Sequence, residues 1–172
     1  MDDIVRQAMA KWPNVPHCYG WLGLDERGNW YMRDDRVQAG GPFPQSKGSL
    51  LRHEKLVDFI HRNYDRDDRG QWFFQNGPQR VYVELQATPR SGGWGPATRS
   101  PATPAAPRRC RTAWSTRRGA CTGHRHRARP VHTLDIEQAA DAIEQGTWQP
   151  REVAARDLPG RFGYVASPAA AQ

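Results

Sequence analysis

Hydrophobic residues near the amino terminus recur with the spacing of an amphipathic helix. They fall at Ile4, Val5, Ala8, Met9 and Trp12. Positions three or four residues apart share one face of a helix. An aspartate at position 2 or 3 precedes them as a cap, and Pro13 follows as a stop. The pattern predicts a short helix with one buried face.

Strand-like segments occur in pairs around polar turns. Residues 19–24 and 29–33 flank the turn Asp25–Gly28, and residues 71–75 and 80–87 flank a second turn at Asn76–Pro78. Glycine supplies the positive φ that a tight hairpin needs. The pattern therefore predicts hairpins, and hence an antiparallel sheet.

The motif Asp-x-Arg-Gly-x-Trp-aromatic occurs twice, at 25–31 and at 67–73. Two explanations remain open at this point. Turn chemistry alone recruits Asp and Gly to such positions, whereas a repeated hairpin unit would build a meander-like sheet. Either explanation is compatible with a sheet made of hairpins.

The remaining pattern predicts helices on the sides of this sheet. Residues 37–48 read as a loop, and Ser49 caps a helix that runs to about Tyr64. Asp135 caps another helix that ends before Gly146, and a short helix over 150–156 and a strand over 162–165 follow. We therefore predict an α+β fold, with an antiparallel, hairpin-built sheet and flanking helices.

Positive charge is concentrated in one stretch of the chain. Lys and Arg total 25 against 18 Asp and Glu, which gives a net charge of +7. Residues 90–130 hold ten arginines and no Asp, Glu or Lys, so the other 15 basic residues are outnumbered by the 18 acidic ones. This stretch also lacks Leu, Ile, Val, Met, Phe and Tyr, so we expect it to be disordered or aberrant. It would interrupt a single domain over 1–165, which ends in a loose tail over 166–172.

The genetic code favours a shifted reading frame over a genuine Arg/Pro/Ala-rich linker for residues 90–130. Every residue from Arg90 to Gly123 uses a codon with G or C in its second position, which is the habit of third positions in a GC-rich gene. The hypothesis is three single-base slips, near residues 90, 122 and 130. The shifted frame permits Leu-Val-Asp-Glu over 113–117 and Leu-Tyr over 120–122, a third copy of the hairpin motif.

Several long motifs resemble a proteobacterial family known only as a domain of unknown function. They lie at Lys11–Asp25, Gly41–Ser49, Trp72–Leu85 and Val131–Asp135. The resemblance covers residues 1–89 and 131–165 and implies no activity and no cofactor. Within 90–130 the chain departs from the family pattern, which has β-strand sequence there.

Catalytic and metal chemistry have little support in this sequence. Cys18 follows His17, but neighbouring residues on a strand point to opposite faces, so the imidazole is badly placed to activate the thiol. A buried structural cysteine is the favoured interpretation of Cys18. Cys18 and the histidines 53, 61 and 132 lack metal-ligand spacing, so we predict no metal site and no cofactor.

Binding residues are sought instead in the Gly41–Ser49 loop and among the aromatic side chains. The loop lacks the spacing of a phosphate-binding loop, although Lys47 beside a helix that starts at Ser49 would suit an anion. Its Pro-Phe-Pro motif around Phe43 equally suits a peptide. Trp30 and Trp72 either pack in the core or belong to an exposed aromatic row.

These patterns predict a small binding or interaction module without catalysis, whose partner is a protein or peptide. Nucleic-acid binding through residues 90–130 is an alternative if that segment is genuine, and an enzyme that uses Cys18 or the Gly41–Ser49 loop is another. No run of about 18 apolar residues is present, and the acidic amino terminus is unlike a secretory signal. We therefore expect a cytoplasmic protein that does not contact membranes.

Overall fold

The computed structural model describes residues 1–89, 112–116, 119–124, 127–130, 136–146 and 149–172. The chain divides into two compact units. Unit one consists of Met1–Pro89 and Gly163–Gln172, and unit two lies within Arg90–Phe162. Unit two therefore begins where the interrupting segment was predicted to begin, but it extends beyond residue 130.

Unit one, all of which is described, combines helices with a six-stranded sheet, so the prediction of an α+β fold is confirmed. Its elements in chain order are α1 (Asp3–Lys11), β1 (Cys18–Leu24), β2 (Trp30–Met32), α2 (Asp35–Ala39), β3 (Ser49–Leu50), α3 (Glu54–Arg62), β4 (Tyr64–Arg66), β5 (Trp72–Asn76), β6 (Gln79–Leu85) and a terminal 3-10 turn (Ala169–Ala171). In the described part of the chain, no helix is long and apolar enough to cross a membrane.

The sheet of unit one is mixed, and the prediction of a purely antiparallel sheet is wrong. Its strand order is β3-β2-β1-β6-β5-β4. The central strands β1 and β6 pair in parallel, with Leu22 opposite Val83 and Leu24 opposite Leu85, while the other neighbours pair antiparallel. Hairpin signals report only neighbours in sequence, so they contain no information about this long-range pairing.

The core lies on the face of the sheet that carries Leu22, Leu24, Val83 and Leu85, all of which are buried. Val5 of α1 and Ile60 of α3 are also buried. The ring of Phe59 in α3 meets the ring of Phe74 in β5 edge-on at 5.6 Å between centroids, so α3 packs against this core face. The predicted helix at the amino terminus is present as α1, but its predicted buried face is reduced to Val5, because Ile4 and Trp12 are exposed, and Asp2 makes no side-chain cap hydrogen bond.

The segment between β2 and α3 differs from its prediction. Residues 37–48 were expected to be a loop, but Asp34 caps the short helix α2 by accepting the Val37 N–H at 2.9 Å. Ser49 does not cap a helix, because it lies in β3 and pairs there with Met32 of β2. The cap of α3 is His53, whose Nδ1 accepts the Leu56 N–H at 3.3 Å.

The carboxyl-terminal segment also corrects the sequence prediction. Phe162 ends a helix, α5 (Leu158–Phe162), rather than beginning a strand. The residues beyond it belong to unit one: the Val165 N–H donates to the Gly70 carbonyl at 3.0 Å, and the Ala166 carbonyl accepts the Leu85 N–H at 2.8 Å. Pro168, in the segment expected to be a loose tail, is less than 2% exposed.

Unit two contains a second sheet. Its strands are β7 (Thr112–Thr116), β8 (Gly119–His124), β9 (Arg127–Pro130) and β10 (Arg151–Glu152), with helix α4 (Ile136–Glu144) between the last two. The strand order in this sheet is β10-β7-β8-β9. The helix predicted over 150–156 is replaced by β10 and a 3-10 turn over Ala155–Asp157. Three strands, β7, β8 and β9, lie within residues 90–130, the segment expected to be disordered or aberrant. The rest of that segment lies outside the described residues.

Candidate functional site

The predicted Gly41–Ser49 loop packs beside the β3 edge of the unit-one sheet. We call Gly41–Leu50, together with the side chain of Tyr31 on the neighbouring strand, the loop–edge surface. Tyr31 pairs with Leu50 across β2 and β3 and with Gly23 across β2 and β1. These three residues therefore share the sheet face opposite the core face.

Arg33 holds the loop from beneath. Its side chain is buried and its guanidinium donates three hydrogen bonds to backbone carbonyls: Nε to Ser46 at 2.9 Å, Nη1 to Gly20 at 3.0 Å and Nη2 to Gly41 at 2.7 Å. Burial lowers the pKa of Arg33, and the negative charge of Glu84 opposes this shift. These bonds fix both ends of the loop to β1.

Phe43 is the apolar contact between this loop and the sheet. Its ring lies over Gly23, where an added Cβ would come within 2.7 Å of the ring. The Phe43 ring centroid is 6.1 Å from that of Tyr31, and only 8% of the residue is exposed. Phe43 therefore supports the loop and offers little surface to a partner.

Lys47 is paired inside the protein. Its Nζ lies 3.4 Å from Asp25 Oδ2 and 5.2 Å from the centroid of the Tyr31 ring. Because Ser49 begins no helix, the combination of Lys47 with a helix amino terminus, which the sequence suggested for an anion, is not formed. The Asp25 carboxylate already compensates the charge of Lys47.

The Asp25 carboxylate organises the turn beside Lys47. Its Oδ1 accepts the N–H groups of Arg27 and Asn29, and its Oδ2 accepts the Tyr31 hydroxyl at 3.1 Å. Burial favours a higher pKa for Asp25, but the hydrogen bonds from Asn29, Arg27 and Tyr31 outweigh it and hold the pKa below its usual value. This carboxylate is therefore saturated with donors and ionised.

The second copy of the motif repeats this arrangement. Asp67 Oδ1 accepts the N–H groups of Arg69 and Gln71 at 3.0 and 2.8 Å, and its Oδ2 accepts the Tyr82 hydroxyl at 3.2 Å. In both turns the glycine has a positive φ, 88° at Gly28 and 80° at Gly70. The two motifs therefore form equivalent turns, and in each a tyrosine hydroxyl donates to Oδ2 of the aspartate.

Trp30 and Trp72 lie in the core and not in an exposed aromatic row. They are 2% and 6% exposed, and the ring of Tyr64 lies between them at 5.3 and 5.0 Å. The indole N–H of Trp30 donates to Nε2 of His61 at 2.9 Å. In the sequence, each tryptophan follows a turn glycine by two residues, which predicts that it begins a strand. That position does not predict which face of the sheet the side chain occupies.

The exposed apolar residues near the β3 edge are different ones. Trp21, Met32 and Leu50 are 41%, 48% and 41% exposed. Leu50 belongs to the loop–edge surface, whereas Met32 pairs with Leu22 and shares the core face. Trp21 lies in β1, farther from this edge. Sequence reasoning missed Leu50 because it assigned Ser49 to a helix cap, although Leu50-Leu51 before a charged Arg52 is also compatible with an edge strand.

The backbone of Leu50 is directed away from the sheet. The Leu51 N–H donates to the Trp30 carbonyl at 2.8 Å. In an antiparallel ladder, successive residues turn their N–H and C=O groups alternately toward and away from the partner strand. Leu50, which precedes Leu51, therefore presents its N–H and C=O at the open edge of the six-stranded sheet.

The residues considered for catalysis are not brought together. Cys18 is half-buried with a free thiol, while the ring of His17 contacts the edge of Tyr82 at 5.7 Å. Within the described residues, no hydrogen bond joins Cys18 to His17, and no group of three or more His, Cys, Asp or Glu could hold a metal ion. His132 lies outside the described residues.

Comparison with known proteins identifies the family. No curated protein and no solved structure matches the chain. The family model DUF2944, described as "Protein of unknown function (DUF2946)", matches residues 1–169. The match continues through 90–130, the segment that departs from the resemblance seen in the sequence. The chain therefore belongs to this family of proteins of unknown function.

Proposed function

We propose that the protein is a non-catalytic binding module that takes an extended peptide segment of a protein partner at the loop–edge surface. This proposal rests on the orientation of the Leu50 backbone, whose N–H and C=O are directed outward from edge strand β3. An extended peptide that adds to a sheet edge gains affinity from such main-chain groups and specificity from alternate side chains.

The side chains around this edge support the same proposal. Leu50 leaves about two fifths of its surface exposed at the edge, where it can form a cross-strand pair with a side chain of an added strand. Ser49 and Leu50 would supply the edge, while Phe43 and Lys47 hold the loop in place through Gly23 and Asp25. Trp30 and Trp72 would contribute only by supporting the core beneath.

A preformed surface suits a module that binds without chemistry. Arg33 fixes the loop through three carbonyls, so little conformational entropy remains to be lost on binding. The free thiol of Cys18 is compatible with the reducing cytoplasm that we propose as its location. Nucleic-acid binding through the Arg-rich segment remains a prediction about residues outside this site.

A display library of random peptides of roughly ten residues, selected against the protein, tests the proposal. Leu50→Pro removes the outward N–H, and proline is tolerated on an edge strand at such a position. Leu50→Val keeps that N–H, and Arg66→Pro places proline on β4 at the opposite edge. Near-ultraviolet circular dichroism checks that each variant is folded.

We expect the selected peptides to bind Leu50→Pro at least about tenfold more weakly than the wild type, the effect of losing one hydrogen bond of about 1.4 kcal/mol. Binding to Leu50→Val and Arg66→Pro should stay close to wild type. Peptides that bind all four folded proteins equally, or a selection that yields no binder, would contradict the proposal.

A further inference from the structure

We infer that the peptide taken at the β3 edge is acidic, an inference that rests on the proposed function. Residues 1–89 contain 12 Lys and Arg and 12 Asp and Glu, and residues 163–172 contain none of these, so unit one is neutral overall. In contrast, residues 36–53 hold Arg36, Lys47 and Arg52 and no acidic residue. The segment that includes the loop and the β3 edge is therefore locally basic.

Two of these three positive charges are free for a partner. Lys47 is paired with Asp25 at 3.4 Å. Arg36 and Arg52 are exposed, and among the described residues neither guanidinium has a carboxylate within 4.0 Å. The acidic residues that border the segment are Asp34 and Asp35 before it and Glu54 after it, and Asp34 is occupied as the cap of α2.

Arg52 comes two positions after Leu50, whose side chain is exposed. Leu50 is in β3, and the Leu51 N–H still donates to the Trp30 carbonyl of β2, so the chain continues along the edge beyond β3. Side chains two residues apart on an extended chain share one face, so Arg52 follows Leu50 on the loop–edge side. Opposite charges on facing strands stabilise pairing, whereas like charges oppose it.

The matching ligand is an extended segment in which an apolar residue and an Asp or Glu lie two positions apart, on the same face of the strand. Its apolar side chain would contact Leu50, and its carboxylate would pair with Arg52. A planar guanidinium binds a carboxylate with two parallel hydrogen bonds, which gives the pairing a directional preference. A basic segment of the same apolar pattern would meet Arg52 as a like charge.

Three synthetic peptides test this inference. They share valine at every fourth position over roughly ten residues, carry Glu, Gln or Lys midway between the valines and so on the same face, and have threonine at the remaining positions. Their affinities are measured by fluorescence anisotropy at low and at moderate salt against the wild type, Arg52→Glu, Leu50→Pro and, as a matched control at the opposite edge, Arg66→Glu.

We expect the Glu peptide to bind at least about tenfold more tightly than the Gln peptide and the Lys peptide to bind least. This preference should weaken with salt, reverse in Arg52→Glu and persist in Arg66→Glu. If the Glu and Gln peptides bind the wild type equally and both bind Leu50→Pro more weakly, the acidic preference is wrong. Binding at the β3 edge would still be supported. If Leu50→Pro leaves all binding unchanged, the proposed function itself fails.

Discussion

The Glu84 carboxylate accepts a hydrogen bond from the backbone N–H of Ala169 at 3.1 Å, although 85 positions separate the two residues. Glu84 is 3% exposed in the central strand β6. Tyr164, in the same carboxyl-terminal segment as Ala169, donates its hydroxyl to the Ala87 carbonyl at 2.7 Å. Residues 163–172 are thus an integral part of unit one, which is completed only after the whole of unit two has been made.

We predict that removal of this contact destabilises unit one. Glu84→Ala leaves the Ala169 N–H without its acceptor, and an unmade hydrogen bond to a buried charged group costs about 1–3 kcal/mol. Deletion of residues 163–172 should lower the free energy of unfolding further. Urea denaturation measures both effects, with Glu54→Ala, at the exposed start of α3, as the control. A deletion variant as stable as the wild type would show that the segment is dispensable.

The hydrogen bond between Trp30 and His61 predicts a pH-dependent stability. Burial lowers the pKa of His61, and the charge of Asp58 opposes this shift. The folded state therefore favours neutral imidazole, which is the form that accepts the indole N–H at 2.9 Å. The unfolded chain binds the proton at the usual pKa, so the contribution to stability is present above it and decreases as the pH falls below it.

We expect the free energy of unfolding to decrease when the pH is lowered from about 7.5 to about 5.5. The variant His61→Leu should be less stable than the wild type at the higher pH and should show a smaller dependence on pH. His17→Leu is the control, because His17 has an exposed ring and no such role in the core. Urea unfolding at the two pH values gives the result. Identical pH dependence in His61→Leu and in the wild type would refute the assignment.

The two Asp turns predict matched pairs of variants. Asp25→Ala and Asp67→Ala each remove an acceptor for two backbone N–H groups and a tyrosine hydroxyl, and each should cost about 1–3 kcal/mol of unfolding free energy. Their neighbours Glu26→Ala and Asp68→Ala should change it by less than about 0.5 kcal/mol. Equal effects of the aspartate changes and their neighbours would mean that the turns form without these carboxylates.

Sequence reasoning located what depends on local pattern. The spacing of Ile4, Val5 and Ala8 predicted α1, and the repeated Asp and Gly positions predicted the turns that end β1 and β4. It did not predict the parallel pairing of β1 with β6, because that pairing depends on contacts between residues far apart in sequence. The outward groups of Leu50 were missed for a related reason. Serine is a residue type that often caps helices. Ser49 is instead part of strand β3 because it pairs with Met32, a contact that the local sequence does not show.

The gene tests the origin of residues 90–130. Strands β7, β8 and β9 occupy 112–116, 119–124 and 127–130, the region where the shifted frame permits apolar strand residues. We predict that resequencing of codons 85–135 finds Leu-Val-Asp-Glu and Leu-Tyr in another frame, and that the restored protein unfolds more cooperatively in urea. Stop codons in both other frames would instead show that the basic segment is genuine, and salt-dependent nucleic-acid binding would then be measured.

The most direct test of the binding edge is the amide hydrogen exchange of Leu50, measured by NMR with and without the tightest-binding peptide. In the free protein, the outward N–H of an edge strand should exchange rapidly, whereas that of Leu51, which donates to Trp30, should be protected. We predict that saturating peptide slows exchange at Leu50 and leaves Leu51 protected. Unchanged rapid exchange at Leu50 in the complex would contradict the account.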